Sequence, residues 1–205
     1  MTMSRRHLLY SMAGSLSVLA GAAAAEELRL FQPRTAGRPA RTETGGTRGI
    51  SSAPVAVLLP PGTAFSAEPS PVIPWFLSRA FAGRVEVSLT PTNGDAPVLR
   101  EVIRRGVKPG IYRLGLADSG KSLTPGLDHI VKVTLVRDPS DRSQDVVSTG
   151  TVQYAPHQPF ADARAAGAAG YWLDALALAD PETYADLLDE VELSAAASWL
   201  RARQS

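Results

Sequence analysis

Cysteine is absent from all 205 residues. That excludes a disulfide scaffold, a thiolate-ligated zinc or iron–sulfur centre and a thiol nucleophile. It also removes the thiol on which a lipoprotein anchor is built. Charge of one sign is lacking too: 21 Lys+Arg face 20 Asp+Glu, a formal +1, so the composition argues against a strongly basic nucleic-acid binder. Aromatics make up only 6%, and past the first 25 residues no apolar run approaches the ~20 residues of a bilayer span. What is present, 44% hydrophobic residues, suffices for one ordinary domain with its own core.

Residues 1–25 read as an address. A basic start is followed by Leu8, Leu9, Met12, Leu16, Val18 and Leu19, then by a small-residue end in which Ala23 and Ala25 fit the A-x-A cleavage pattern. Ser4-Arg5-Arg6-His7-Leu8-Leu9 resembles a twin-arginine export signal. The expectation is a periplasmic or secreted protein with no stable membrane anchor after cleavage. Lacking cysteine, it needs no oxidising compartment to fold. Cleavage removes Arg5 and Arg6 and no acid, which turns the formal +1 into −1.

The mature chain divides into three regions. Residues 26–52 form a Pro/Gly/Arg-rich arm with Arg34, Arg38, Arg41 and Arg48, expected to be flexible, in which Leu28, Leu30 and Phe31 form at most a short edge strand. Residues 53–156 turn to Val, Ile and Thr. Val85, Val87 and Leu89 alternate with Glu86, Ser88 and Thr90; Tyr112, Leu114 and Leu116 alternate likewise, as do Val131, Val133 and Leu135. Further strands fit Val55–Leu59, Ile73–Leu77, Val98–Ile103 and Val146–Tyr154, although Val98–Arg105 also reads as helix. About seven short strands separated by turns such as Thr92-Asn93-Gly94-Asp95 predict a mainly β fold, an immunoglobulin-like antiparallel β-sandwich. Residues 157–205 predict an acidic α-helical tail of two to three helices packed on the sandwich. Asp180-Pro181 starts one, Ser194 caps another, and Trp172, Leu173 and Leu176 mark a third.

Chemistry is sparse. Gly115-Leu116-Ala117-Asp118-Ser119-Gly120-Lys121-Ser122 matches the phosphate-cradling G-x-x-x-x-G-K-S pattern, which needs a helix directly after it. Pro125 and Gly126 break any such helix, so the segment reads as a connecting loop and no nucleotide is expected. His129 and His157 have no ligand-type partner at i+2 or i+4, and no nucleophile elbow is present. Neither a cofactor nor a metal is expected. In Arg137–Asp145 the acids Asp138, Asp141 and Asp145 offer oxygens to calcium at the wrong spacing, and Arg–Asp pairing with Asp-capped turns is the simpler reading.

Several segments together resemble the bacterial family known as domain of unknown function 928. They are Gly45-Gly46-Thr47-Arg48-Gly49, Ala56-Val57-Leu58-Leu59-Pro60, Pro74-Trp75-Phe76, the Asp138-Pro139-Ser140-Asp141-Arg142-Ser143-Gln144-Asp145-Val146 loop and Gly170-Tyr171-Trp172-Leu173-Asp174-Ala175-Leu176. Members often carry Cys where Arg137 stands here. The resemblance implies an exported β-rich domain with a C-terminal helical segment and brings no catalytic residues. The helices around Trp172 and residues 181–192 also look like a single tetratricopeptide-like pair.

The expected function is a non-enzymatic binding module for a protein or envelope polymer. The residues singled out for contact are Arg48, Trp75, Asp138, Asp141, Arg142, Asp145 and Trp172. The alternative is a carboxylate-dependent hydrolase or carbohydrate-active enzyme drawing on Glu86, Glu101 or Asp128.

Overall fold

A computed structural model describes residues 29–34, 54–103 and 106–204. The fold is mainly β, with eight strands in two sheets among the described residues. These are β1 (Val55–Val57), β2 (Thr63–Ser66), β3 (Val72–Leu77), β4 (Arg84–Pro91), β5 (Leu99–Ile103), β6 (Gly110–Gly115), β7 (Asp128–Val136) and β8 (Val146–Tyr154). The first sheet has the order β1-β3-β6 and the second β2-β8-β7-β4-β5.

Four helices follow among the described residues: α1 (Ala163–Ala168), α2 (Trp172–Leu178), α3 (Pro181–Glu190) and α4 (Ser194–Arg201). They fall inside the predicted tail.

The alternation seen in the sequence does set the sheet faces. Along β4 the side chains alternate between half-buried and buried, with Val85, Val87 and Leu89 inside. β7 pairs antiparallel with both β4 and β8, and Val131, Val133 and Leu135 face the same core. The two sheets meet through β1: the Val57 amide donates to Ser148 Oγ at 2.9 Å, tying the first sheet to the inner face of β8. The helices share this core. Trp172 is fully buried in the same core as Leu58, Ile73, Leu77 and Leu187, and its indole N–H donates to the Leu58 carbonyl at 2.9 Å. A buried indole needs such a partner, and its area makes it a main source of cohesion between helices and sheets.

Several expectations are corrected. There are eight strands rather than about seven, because Thr63–Ser66 forms β2. The sheets are not wholly antiparallel either, since β2 runs parallel to β8. The predicted strand at Val98–Ile103 is present as β5, and of its two readings the helical one does not form over Leu99–Ile103. The tail holds four helices rather than two or three. Asp180 caps α3 as its sequence requires, its Oδ1 accepting from the amides of Glu182 and Thr183 at 2.9 and 3.0 Å. Ser194, by contrast, is the first residue of α4; Leu193 occupies the cap position without a side-chain bond. The close helix pairs are α1 with α2 and α3 with α4, so α2 and α3 are not a tetratricopeptide-like pair. Leu30 and Phe31 are not in a strand; Phe31 enters the core instead. No helix among the described residues is long and apolar enough to cross a membrane.

Candidate functional site at the loop end of the large sheet

Four of the residues singled out in the sequence meet at one end of the molecule, in the connection between β7 and β8. Asp138 and Asp141 each organise a tight turn. Asp138 Oδ1 accepts from the Ser140 amide at 2.8 Å and its hydroxyl at 2.6 Å; Asp141 Oδ1 accepts from the Ser143 amide at 3.1 Å and its hydroxyl at 2.6 Å. Gln144 Nε2 adds a bond to Asp141 Oδ2 at 3.1 Å. The hydroxyl of Ser140, then its amide, holds the Asp138 carboxyl below the ordinary range; Ser143 and Gln144 do the same for Asp141.

Arg142 closes an ionic ladder across the strands. Its Nε bonds Asp145 Oδ2 at 2.6 Å and an Nη bonds Glu86 Oε2 at 2.9 Å, while Arg84 pairs with the other Glu86 oxygen at 2.6 Å. Burial pushes the Glu86 carboxyl up, but the bonds and charges of Arg142 and Arg84 outweigh it and leave it below its usual value. The loop therefore spends its carboxylates on itself, and among the described residues no group of three His, Asp or Glu is placed to hold a metal ion. Two buried atoms of the ladder, Arg84 Nε and Asp145 Oδ1, have no hydrogen-bond partner among the described residues.

Beside the loop lies a groove of about 420 Å³ formed by Pro54, residues 79–83, Leu135, Arg137 and Val146. Phe81, Leu135 and Val146 make its floor apolar. Arg79 and Arg137 stand exposed on it, and neither forms an ion pair among the described residues. Gly83 permits the shape: a Cβ there would stand 2.7 Å from the Phe81 ring and would also strike the Val136 carbonyl. Apolar floor, two free guanidinium groups and no free carboxylate suit an anionic group carried on a partly apolar partner.

The remaining contact candidates lie elsewhere. Trp75 is buried and stacked on Tyr112 at 4.5 Å, and Trp172 is fully buried, so the structure corrects both: they serve the core and do not reach a partner. Arg48 lies outside the described residues. The acids of the enzyme reading do not converge. Glu86 is opposite Thr134, while Asp128 is opposite Gln153, six residues further along β7, or ~20 Å at ~3.3 Å per residue. Glu101 is opposite Val87 and so projects to the other face of the sheet from Glu86. Paired carboxylates in glycosidases stand roughly 5–10 Å apart.

His129 is buried, with Nδ1 at 2.9 Å from the Leu127 carbonyl, to which it donates, and burial lowers its pKa. His157 stacks on Phe160 at 4.5 Å. In Gly115–Ser122, β6 ends in a short 3-10 turn at Ala117–Ser119, and residues 120–127 contain no helix to face a phosphate.

Sequence reasoning passed over residues 79–83, because nothing there matches a motif. The available signal was an aromatic, Phe81, between an arginine and a glycine in the connection of two well-patterned strands. The sequence reads Arg137 as a charge partner for the loop acids and as a departure from the family pattern, yet it lines the groove and pairs with no acid among the described residues.

The architecture defines a class, a mainly β domain of two sheets with a C-terminal helical segment whose loops build a groove at one end. The chain belongs to the family described as Domain of Unknown Function (DUF928), whose model matches residues 43–199. No curated protein matches it.

Proposed function

We propose that the protein is an exported binding module, periplasmic or secreted after loss of residues 1–25, which holds an anionic protein or envelope polymer at the loop end and performs no catalysis there. The observation that carries this reading is the groove itself: two arginines with no carboxylate partner among the described residues, on an apolar floor, next to a loop in which Asp138, Asp141 and one oxygen of Asp145 are held by the loop's own groups.

Strand order supports it. The sheet orders β1-β3-β6 and β2-β8-β7-β4-β5, with β2 parallel to β8, support reading the fold as an immunoglobulin-like sandwich whose first strand is divided between the sheets. In that arrangement residues 79–83 correspond to the B–C loop and residues 137–145 to the F–G loop, two of the loops that variable domains use for recognition at one end. Loops on a rigid sheet are also the usual home of binding residues.

Cross-linking in intact cells tests the proposal, comparing the wild type with Arg79→Glu/Arg137→Glu. Both positions are exposed and unpaired, so the variant should keep wild-type stability within about 0.5 kcal/mol. The expected result is a discrete adduct in the wild type that is lost in the variant. Equal capture by both, or capture no greater than by an exported control of similar charge, would remove the proposal.

A further inference from the structure

Residues 29–34 occupy a built groove on the helical side, far in sequence from everything they touch. The Glu190 carboxylate accepts two successive backbone N–H groups, Leu30 at 2.7 Å and Phe31 at 2.9 Å. The Gln32 amide donates to the Gly167 carbonyl at 3.0 Å. Phe31 is buried with its ring edge-on to Trp172 at 4.9 Å. The Arg34 guanidinium lies over both Phe65 and Tyr171, 4.6 and 4.5 Å from their ring centres, a two-walled cage for a cation.

Two glycines open the path. A Cβ at Gly167 would collide with the Leu30 carbonyl, and one at Gly170 would lie 2.8 Å from the Gln32 carbonyl and strike the Arg34 side chain. Outside this segment, the nearest atom that a Cβ at 167 meets beyond its own helix is the Ala175 methyl, at an ordinary 3.7 Å. The groove thus reads an extended backbone, an aromatic side chain and, three residues later, a cation.

Every copy of the chain carries a segment with that chemistry. Only residues 35–53 connect it to the strand at Val55, and nineteen residues reach up to about 65 Å. That exceeds the roughly 40 Å diameter expected of a domain this size. We propose that the groove is an exchange site for a second copy of this protein, in which residues 29–34 of one copy seat in the groove of another and make the same contacts. Closed and exchanged forms share all their bonds, so the connection and the concentration set the balance, and a dilute wild type closes on itself. The proposal is independent of the loop-end reading, since no residue is common to the two sites.

A complementing pair of full-length variants removes the self-closed form. Phe31→Ala/Arg34→Ala has an open groove and a poor segment; Gly167→Ala has a good segment and a blocked groove, in a helix that alanine favours. Each alone should sediment as a monomer. Their equimolar mixture should double in mass to a one-to-one dimer, which excess synthetic peptide spanning residues 26–36 disperses. A mixture that stays monomeric while both variants keep wild-type circular dichroism would overturn the proposal. If the double variant loses structure, Arg34→Ala replaces it, and absence of the dimer in that mixture is equally decisive.

Discussion

At the loop end, Asp138 and Asp141 sit in solvent, and each is held by a serine hydroxyl and amide two residues on. Across the molecule, Asp174 of α2 is half-buried beside the Tyr171 cluster and accepts a 2.9 Å bond from the Ala67 amide as well as one from its own amide. Burial pushes its carboxyl above the ordinary range, with the Ala67 bond opposing and Glu68 adding to the rise. The same residue type is stabilised as an anion in one region and penalised as one in the other. The difference separates a surface that organises its own polar groups, leaving Arg79 and Arg137 over, from a side that recruits polar groups into packing.

The strongest way to break this comparison is to strike the packed side. Trp172→Ala removes a fully buried indole, its bond to Leu58 and the wall against which Phe31 rests. It should cost about 3–5 kcal/mol in urea unfolding. A loss below about 1 kcal/mol would show that the helices contribute little to the common core.

Next comes pH. A carboxyl whose folded pKa is raised destabilises the fold as pH climbs through that value, whereas the lowered carboxyls of Glu86, Asp138 and Asp141 stabilise it above their ordinary pKa values and lose that contribution in acid. Asp174→Asn keeps an oxygen for the Ala67 amide but cannot ionise. Relative to the wild type, its melting temperature should therefore improve as pH rises above the ordinary carboxylate value and level off once pH passes the raised folded value. A difference that does not change with pH would contradict the assignment.

The smallest expected effect is on the ladder. Arg142→Ala breaks the pairs that its solvent-facing guanidinium makes with the partly covered Glu86 and Asp145, and its modest loss of stability should shrink further in high salt. A loss comparable to that of Trp172→Ala would erase the distinction between the two regions.

Much of the fold was legible because it follows local periodicity. β4 and β7 show the alternation that placed them, β8 spans the predicted residues 146–154, and Asp180-Pro181 announced α3. What escaped depends on distant partners. β2 is four residues closely followed by Pro69 and Pro71, and it becomes a strand only by pairing in parallel with β8 almost ninety residues away. The docking of residues 29–34 was invisible for the same reason, since Glu190, Gly167 and Tyr171 lie far along the chain. At the loop end, the sequence exposed the acids and Arg142 through their density. Trp75 and Trp172 drew notice as large aromatics, and size alone does not distinguish a core anchor from a contact residue.

The central claim is that the loop end is where the protein meets its partner. A photo-activated amino acid placed at Ala82, exposed in the groove, and separately at Thr149, exposed on the outer face of β8, tests it directly in cells. The account predicts a partner adduct from position 82 and none from 149. Adducts from 149 with none from 82 would contradict it.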